Sequence, residues 1–364
     1  MRLIYENIQL LDWRMLIMWL IGFILIFLAI KKKLEPTLLL PIGFGVIIVN
    51  TAPLYDGALV TLFNNCVSNE LFPVILFIGI GAMIDFGPLL ANPKLMLFGA
   101  AAQFGIFLTF SLASLFFELP EAAAIGVIGA ADGPTAIVVS QKLLGSASSI
   151  GGAIIIAAYS YMALVPIIQP PIIKLMTTRN ERLIRMDNQT KEVKKRTKIL
   201  FPILITIIVG VAAPGCVDLI GFLMFGNLIR ECGVLDSLSE TAQQVLTNLI
   251  TIVLGITVAS QMVAEKFLTY STLLILMLGL IAFIFDTIGG ILLAKLLNLL
   301  FKNKVNPMIG AAGISAFPMA GRIVHKMGLA EDNSNFLIPH SLAVNVSGQI
   351  ASVIAGGLIL NYML

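Results

Sequence analysis

Apolar stretches of membrane-spanning length recur from one end of this chain to the other, and that recurrence constrains the fold more than any other feature. A helix needs about 20 predominantly apolar residues to cross a bilayer. Candidate segments fall at 13–30, 37–52, 71–90, 95–117, 122–144, 150–173, 199–213, 216–229, 246–263, 270–300, 306–324 and 336–362. A mean hydropathy of +0.99 and a charged fraction of 12% leave too little polar surface for a water-soluble globule of 364 residues. The expected fold is all-α and polytopic, with about ten to twelve hydrophobic segments solvated by lipid. Several segments are too short or too rich in glycine to be simple crossings. The first, 13–30, is followed by Lys31, Lys32 and Lys33 and has no small-residue cleavage site, so it reads as a retained helix rather than a signal peptide.

Charge is scarce and localised. The net charge is only +3, and residues 174–198 hold nine Lys or Arg against Glu181, Asp187 and Glu192. A basic loop between apolar segments points to the cytoplasmic side of a membrane rather than to nucleic acid, which is excluded as a partner. Cys66, Cys216 and Cys232 lack paired spacing, and His325 and His340 stand apart, so the sequence offers neither a disulfide framework nor a transition-metal site.

The basic loop divides the chain into an N-terminal helix (1–33), a first repeat (34–173), the loop itself (174–198) and a second repeat (199–364). Ile42-Gly43-Phe44 recurs as Ile220-Gly221-Phe222, Ile78-Gly79 aligns with Leu254-Gly255, and Ile128-Gly129-Ala130-Ala131 recurs as Ile309-Gly310-Ala311-Ala312. The offsets of 178, 176 and 181 residues are nearly constant and argue for internal duplication. Each repeat carries one discontinuous segment: 122–145, where Gly133-Pro134 is expected to interrupt the helix, and 306–324, interrupted around Gly313 and Pro318. The first is entered from an acidic turn (Glu118, Glu121) and the second from a basic one (Lys302, Lys304), as inverted repeats require. The charge pattern also needs at least one re-entrant segment in the first half, and 122–145 is the natural candidate.

Broken helices expose half-helix ends and free carbonyls that coordinate ions where they line a cavity. Asp132 sits at the first break, where an ionisable residue is costly and points to a cation ligand or proton carrier more than to a helix cap. Thr135 lies one turn away. At the second break Asn306 and Ser315 supply oxygens, Gly310 and Gly313 permit close backbone approach, and Arg322 supplies a cation. Arg322 either binds an anion or snorkels with its neighbours His325 and Lys326. Tyr161, Asn345 and Ser347 are polar groups within apolar stretches that helix-to-helix hydrogen bonding also explains. Asp286 is intramembrane and has no polar partner nearby in sequence.

The runs GIGAMIDFGPLLANP (79–93), GAADGPTAI (129–137), AYSYMALVPIIQPPI (158–172), NPMIGAAGISAFPMAGRIV (306–324) and NFLIPHSLAVNVSGQIAS (335–352) resemble the beta subunit of the sodium-translocating, biotin-dependent decarboxylases of oxaloacetate, methylmalonyl-CoA and glutaconyl-CoA. The resemblance covers roughly residues 34–362, with Gly321 standing where the family pattern has alanine. It implies a membrane subunit that decarboxylates carboxybiotin and drives sodium outward while consuming a proton. It implies Asp132, Asn306, Gly310, Ser315 and Asn345 as sodium-handling residues. It assigns Asp132, Tyr161 and Arg322 to catalysis, and Arg322 and Ser315 to the carboxybiotin side. The implied partners are a biotin carrier (gamma) subunit, a carboxyltransferase (alpha) subunit, a small membrane-anchoring subunit and further beta subunits, all at a bacterial inner membrane. A secondary transporter, either a sodium-coupled organic-anion symporter or a sodium/proton antiporter, is the alternative that the same architecture allows.

Overall fold

The computed structural model describes residues 12–33, 36–51, 58–67, 69–145, 148–186, 192–301 and 304–363, and every regular element among them is helical. Lys302 and Asp187, which contributed to the charge reading, lie outside the described residues. Six helices are long and apolar enough to cross a membrane: Trp13–Lys31, Pro93–Ala113, Ile150–Met176, Asp236–Gln261, Tyr270–Leu300 and Ile338–Met363. Their outward faces are made for lipid. Helix Trp13–Lys31 turns out Leu16, Leu20, Phe23, Phe27 and Ile30, and Lys195–Ala212 turns out Leu200, Leu204, Ile207, Ile208 and Val211, each more than half exposed. Soluble proteins do not tolerate apolar stripes of that size.

Lipid tails give helices no hydrophobic reason to associate, so close packing through small residues takes over. Helix Leu71–Met83 crosses Val217–Cys232 at Gly81 and Gly226, where an added Cβ would stand 1.8 Å from the Leu223 carbonyl oxygen or 2.0 Å from that of Ile78. Helix Pro36–Val49 meets Asp236–Gln261 in the same way, with Gly45 against Ala259 and Gly255 against Pro41.

Two segments do not cross but fold back. In the first, Leu119–Ala130 runs inward, the chain turns at Ala131 and Asp132, and Gly133–Leu144 returns packed against it. The break therefore precedes the expected Gly133-Pro134 pair. Proline in the first turn of a helix costs no hydrogen bond, so Pro134 starts the returning arm, while the turn falls on Ala131 with φ at 51°. In the second, Pro307–Gly313 runs inward as a 3₁₀ helix, residues 314–318 form the tip, and Met319–Glu331 returns. Both ends of this hairpin reach one atom, since Asn306 and Asn335 each donate from Nδ2 to the Arg182 carbonyl oxygen at 2.9 Å.

Arg182 also marks one face of the bundle. Its Nε lies 2.6 Å from Glu331, Arg185 lies 2.7 Å from Asp332, Lys295 pairs with Glu181 at 3.1 Å, and Lys198 pairs with Asp85 at 3.2 Å. The opposite face is fixed by Ser149–Met176, whose 28 residues put Ser148 about 40 Å from the Arg182 end. The first hairpin ends beside Ser148, so the two hairpins enter from opposite faces and meet in the middle.

Candidate functional site

The tips touch through one backbone bond, in which the Ser315 amide donates to the Ala130 carbonyl at 3.0 Å. Beside this junction lies Asp132, only 3% exposed, whose Oδ2 accepts from Thr135 Oγ1 at 2.5 Å and from Gln349 Nε2 at 3.0 Å. A cavity of about 190 Å³ opens there, lined by Asp132, Pro134, Tyr159, Thr251, Ser315 and Gln349 among others. Such a volume holds several waters or a hydrated cation and its ligands.

The last helix, Ile338–Met363, braces the second tip. Ser315 Oγ donates to the Gly348 carbonyl at 3.0 Å, and Asn345 Nδ2 donates to that of Ile314 at 2.7 Å. Asn345 Oδ1 and the Tyr159 hydroxyl are buried without a hydrogen-bond partner among the described residues. Uncompensated buried oxygens are costly and suit a bound cation or water. Tyr159 also packs its ring on Gly133, where an added Cβ would lie 2.4 Å from the ring.

The structure thus gathers Asp132, Thr135 and Ser315, which the sequence puts at the two breaks, at one junction, together with Asn345 from the last helix. It places the other expected residues elsewhere. Asn306 stands at the outer end of the 3₁₀ arm, with Nδ2 engaged by the carbonyls of Arg182 and Ile184 and Oδ1 capping the Met308 amide. Gly310 lets the arm touch helix Tyr270–Leu300, where a Cβ would lie 2.1 Å from the Gly290 oxygen. Tyr161 faces away from the cavity and donates its hydroxyl to the Leu276 carbonyl. Arg322 is exposed, one turn beyond the cavity-lining residues Pro318 and Met319.

Sequence reading missed three residues: Tyr159, Gln349, and Gln169, which donates to the Ala311 carbonyl at 2.7 Å. Gln169 is the one strongly polar group in its apolar run, and that isolation was the available sign, whereas Tyr159 and Gln349 stand among other polar groups. Tyr159 lay hidden beside Tyr161, because residues two apart on a helix face in different directions.

A buried carboxylate between two re-entrant hairpins, inside a lipid-facing helical bundle, defines a multi-pass membrane protein with a polar centre. The family model of the Na+-transporting oxaloacetate decarboxylase beta subunit matches residues 14–363. The chain is 45% identical to oxaloacetate decarboxylase beta chain 2 of Salmonella typhimurium, over 96% of this chain and 95% of that one. It is 47% identical to the methylmalonyl-CoA decarboxylase subunit beta of Propionigenium modestum, over 95% and 94%, and equally identical to that of Veillonella parvula, over 94% and 92%. The chain belongs to the beta-subunit family of sodium-transporting decarboxylases. It is the membrane subunit of a multi-subunit, sodium-coupled decarboxylase, and this favours the decarboxylase reading over a transporter that works alone.

Proposed function

We propose that this chain decarboxylates carboxybiotin carried by a gamma subunit and uses the step to move sodium outward across a bacterial inner membrane, with Asp132 exchanging sodium for the proton that is consumed. The acid itself is chosen by an alpha carboxyltransferase, so this chain meets the same carboxybiotin whichever acid is cleaved. A small anchoring subunit and further beta subunits complete the assembly. In the reaction the N–carboxylate bond breaks, carbon dioxide leaves, and the ureido nitrogen takes up one proton. A site closed to bulk water favours that loss by desolvating the carboxylate.

The observation that carries this reading is the Asp132 carboxylate, buried at the hairpin junction and opening onto a largely apolar cavity where Ser315, Gln349 and Thr251 are among the few other polar groups. Its neighbours Tyr159, Ser315 and Asn345 offer neutral oxygens, the ligand set that a hard monovalent cation takes. Sodium bound there neutralises the carboxylate, and so does a proton, which makes the two exchangeable. Arg322, exposed one turn from the cavity, receives the anionic carboxylate of carboxybiotin from the aqueous side. Tyr161, turned from the cavity, contributes by tying its helix to Tyr270–Leu300 through the Leu276 carbonyl, and Asn306 and Gly310 contribute by placing the second tip.

The same reading takes the basic-loop face as cytoplasmic and the two halves, 34–173 and 199–364, as inverted repeats. Support comes from a reciprocal packing: Pro36–Val49 meets Asp236–Gln261, while its counterpart Val217–Cys232 meets Leu71–Met83. On this reading a pseudo-two-fold axis would relate those two contacts and the two hairpins. Counting the shorter apolar helices Pro36–Val49, Leu71–Met83 and Leu119–Ala130 with the six long ones brings the total toward ten to twelve segments.

The test is Asp132→Asn in the assembled complex. The amide keeps the shape and the acceptor for Thr135 but loses the charge and the exchangeable proton. Decarboxylation of carboxybiotin is expected to lose sodium stimulation entirely while the subunit still inserts and assembles. Sodium dependence equal to that of the unaltered protein would remove Asp132 from the exchange.

A further inference from the structure

A third broken helix lies behind the two hairpins. Pro93–Ala113 is interrupted at Gln103, so the segments Met96–Ala102 and Phe104–Ala113 are separate helices with a free N-terminus in mid-membrane. Asp286 answers it. This residue is 0% exposed and stands near the middle of Tyr270–Leu300, and its Oδ1 accepts from the Gly105 amide at 2.5 Å and from the Ile106 amide at 3.2 Å. The Ile106 amide is shared with the Gln103 carbonyl at 3.1 Å, and a carboxylate suits the N–H groups and positive end of a helix start.

The second oxygen of Asp286 has no hydrogen-bond partner among the described residues, and it is aimed at the first hairpin. An added Cβ on Gly129 would stand 2.5 Å from Oδ2. Gly129 immediately precedes Ala130, the acceptor of the bond between the tips, and lies three residues before Asp132. The other half of the broken helix meets the second hairpin, since a Cβ on Gly313 would stand 2.7 Å from both the Phe98 oxygen and the Ala102 Cβ. The break at Gln103 therefore rests on both hairpins, and Asp286 fastens it to the first.

We propose that Asp286 is a positioning residue for the sodium site: by clamping the helix start at Gly105 against Gly129, it holds the two hairpin tips at the separation that Asp132 and Ser315 need to bind sodium together. A packing role alone would be served by an apolar side chain at no desolvation cost. The carboxylate instead spends both lone-pair directions of one oxygen on the helix start and presents the other oxygen to the tip. Oδ2 faces Gly129 and Asp286 does not line the cavity at Asp132, so the residue acts through the tip rather than as a ligand.

This inference rests on the reading of Asp132 as the sodium carboxylate, and the experiment separates the two. In the assembled complex, the sodium concentration giving half-maximal decarboxylation is measured for Asp286→Ala, Asp286→Asn and Gly129→Ala. Asp286→Ala is expected to raise it about tenfold or more, the equivalent of 1.4 kcal/mol, with a smaller effect on the rate at saturating sodium. Asp286→Asn keeps an acceptor for both amides and is expected to restore most of the loss. Gly129→Ala leaves the carboxylate in place but pushes the tip away from it, and is expected to shift sodium dependence in the same direction. It decides the matter if Asp286→Ala does not assemble. Unchanged half-saturation in Asp286→Ala, or in Gly129→Ala where the former is not obtained, overturns the positioning role while leaving Asp132 untouched. Sodium-independent turnover in neither Asp286 variant but full sodium response in Asp132→Asn overturns the reading of Asp132, and with it this inference.

Discussion

Arg322 separates chemistry from solvation at a single residue. Its side chain is exposed and pairs with no carboxylate among the described residues, although it sits one turn from the cavity wall. A guanidinium grips a carboxylate through two parallel bonds, which an ammonium does not. Arg322→Lys is therefore expected to raise the carrier concentration needed for half-maximal activity about tenfold while leaving sodium dependence nearly unchanged, and Arg322→Ala to be nearly inactive at any sodium concentration. Kinetics against carrier concentration check this, and a lysine variant indistinguishable from the parent would show that Arg322 only snorkels. Residues at the breaks were the most legible in the sequence. Asp132 and Ser315 stood out because an ionisable or hydroxyl group next to glycine and proline in an apolar run has few structural uses. Tyr159 and Gln349 were not legible, since their roles depend on which face of a regular helix turns inward, and that is set by packing between distant segments.

Asn306 carries the argument to the level of elements, for its side chain fastens the second hairpin to the basic loop. Three bonds use all that a primary amide offers in this setting, two donated to carbonyls and one accepted from an amide. Removing them in Asn306→Ala takes the partner from the Ile184 carbonyl and the Met308 amide, while Asn335 still serves the Arg182 carbonyl, and is expected to cost about 1–3 kcal/mol, seen as a lower melting temperature in detergent together with weaker sodium binding. A direct ligand role would weaken sodium binding with no change in melting temperature. Next to this anchor, the hydrogen bond from Arg185 holds the Asp332 carboxyl below the usual carboxylate range. A depressed value means that the pairing is complete above the ordinary aspartate range and is lost as pH falls through the lower, folded value. The clasp is thus fully formed at neutral pH. Element boundaries followed the apolar runs closely, as at 270–300, but the first break was displaced by the rule that proline opens a helix more readily than it ends one. The Gln103 break in Pro93–Ala113 left no such mark, because neither glycine nor proline makes it; a carboxylate 183 positions away does.

At the scale of the molecule, entry of the hairpins from opposite faces predicts that single cysteines at Glu118 and Lys304 react with membrane-impermeant reagents from opposite sides of the bilayer. Labelling of both from one side would rule out the inverted arrangement. In the sequence the proposed arrangement rests on short matches at near-constant offset and on flanking charge, whereas reciprocal packing between the halves is a property of the assembled bundle that no single segment carries. One further property follows from pinning both ends of the second hairpin to a single carbonyl. The seven residues of Pro307–Gly313, at about 2 Å each, make an arm of about 14 Å between that pin and the tip. Rocking the arm by about 10° sweeps the tip through about 2.5 Å, close to the length of a hydrogen bond. A lever of this kind would sever the contact between Ser315 and Ala130 with almost no displacement at its fulcrum, so that the centre of the protein would open while its surface stayed still.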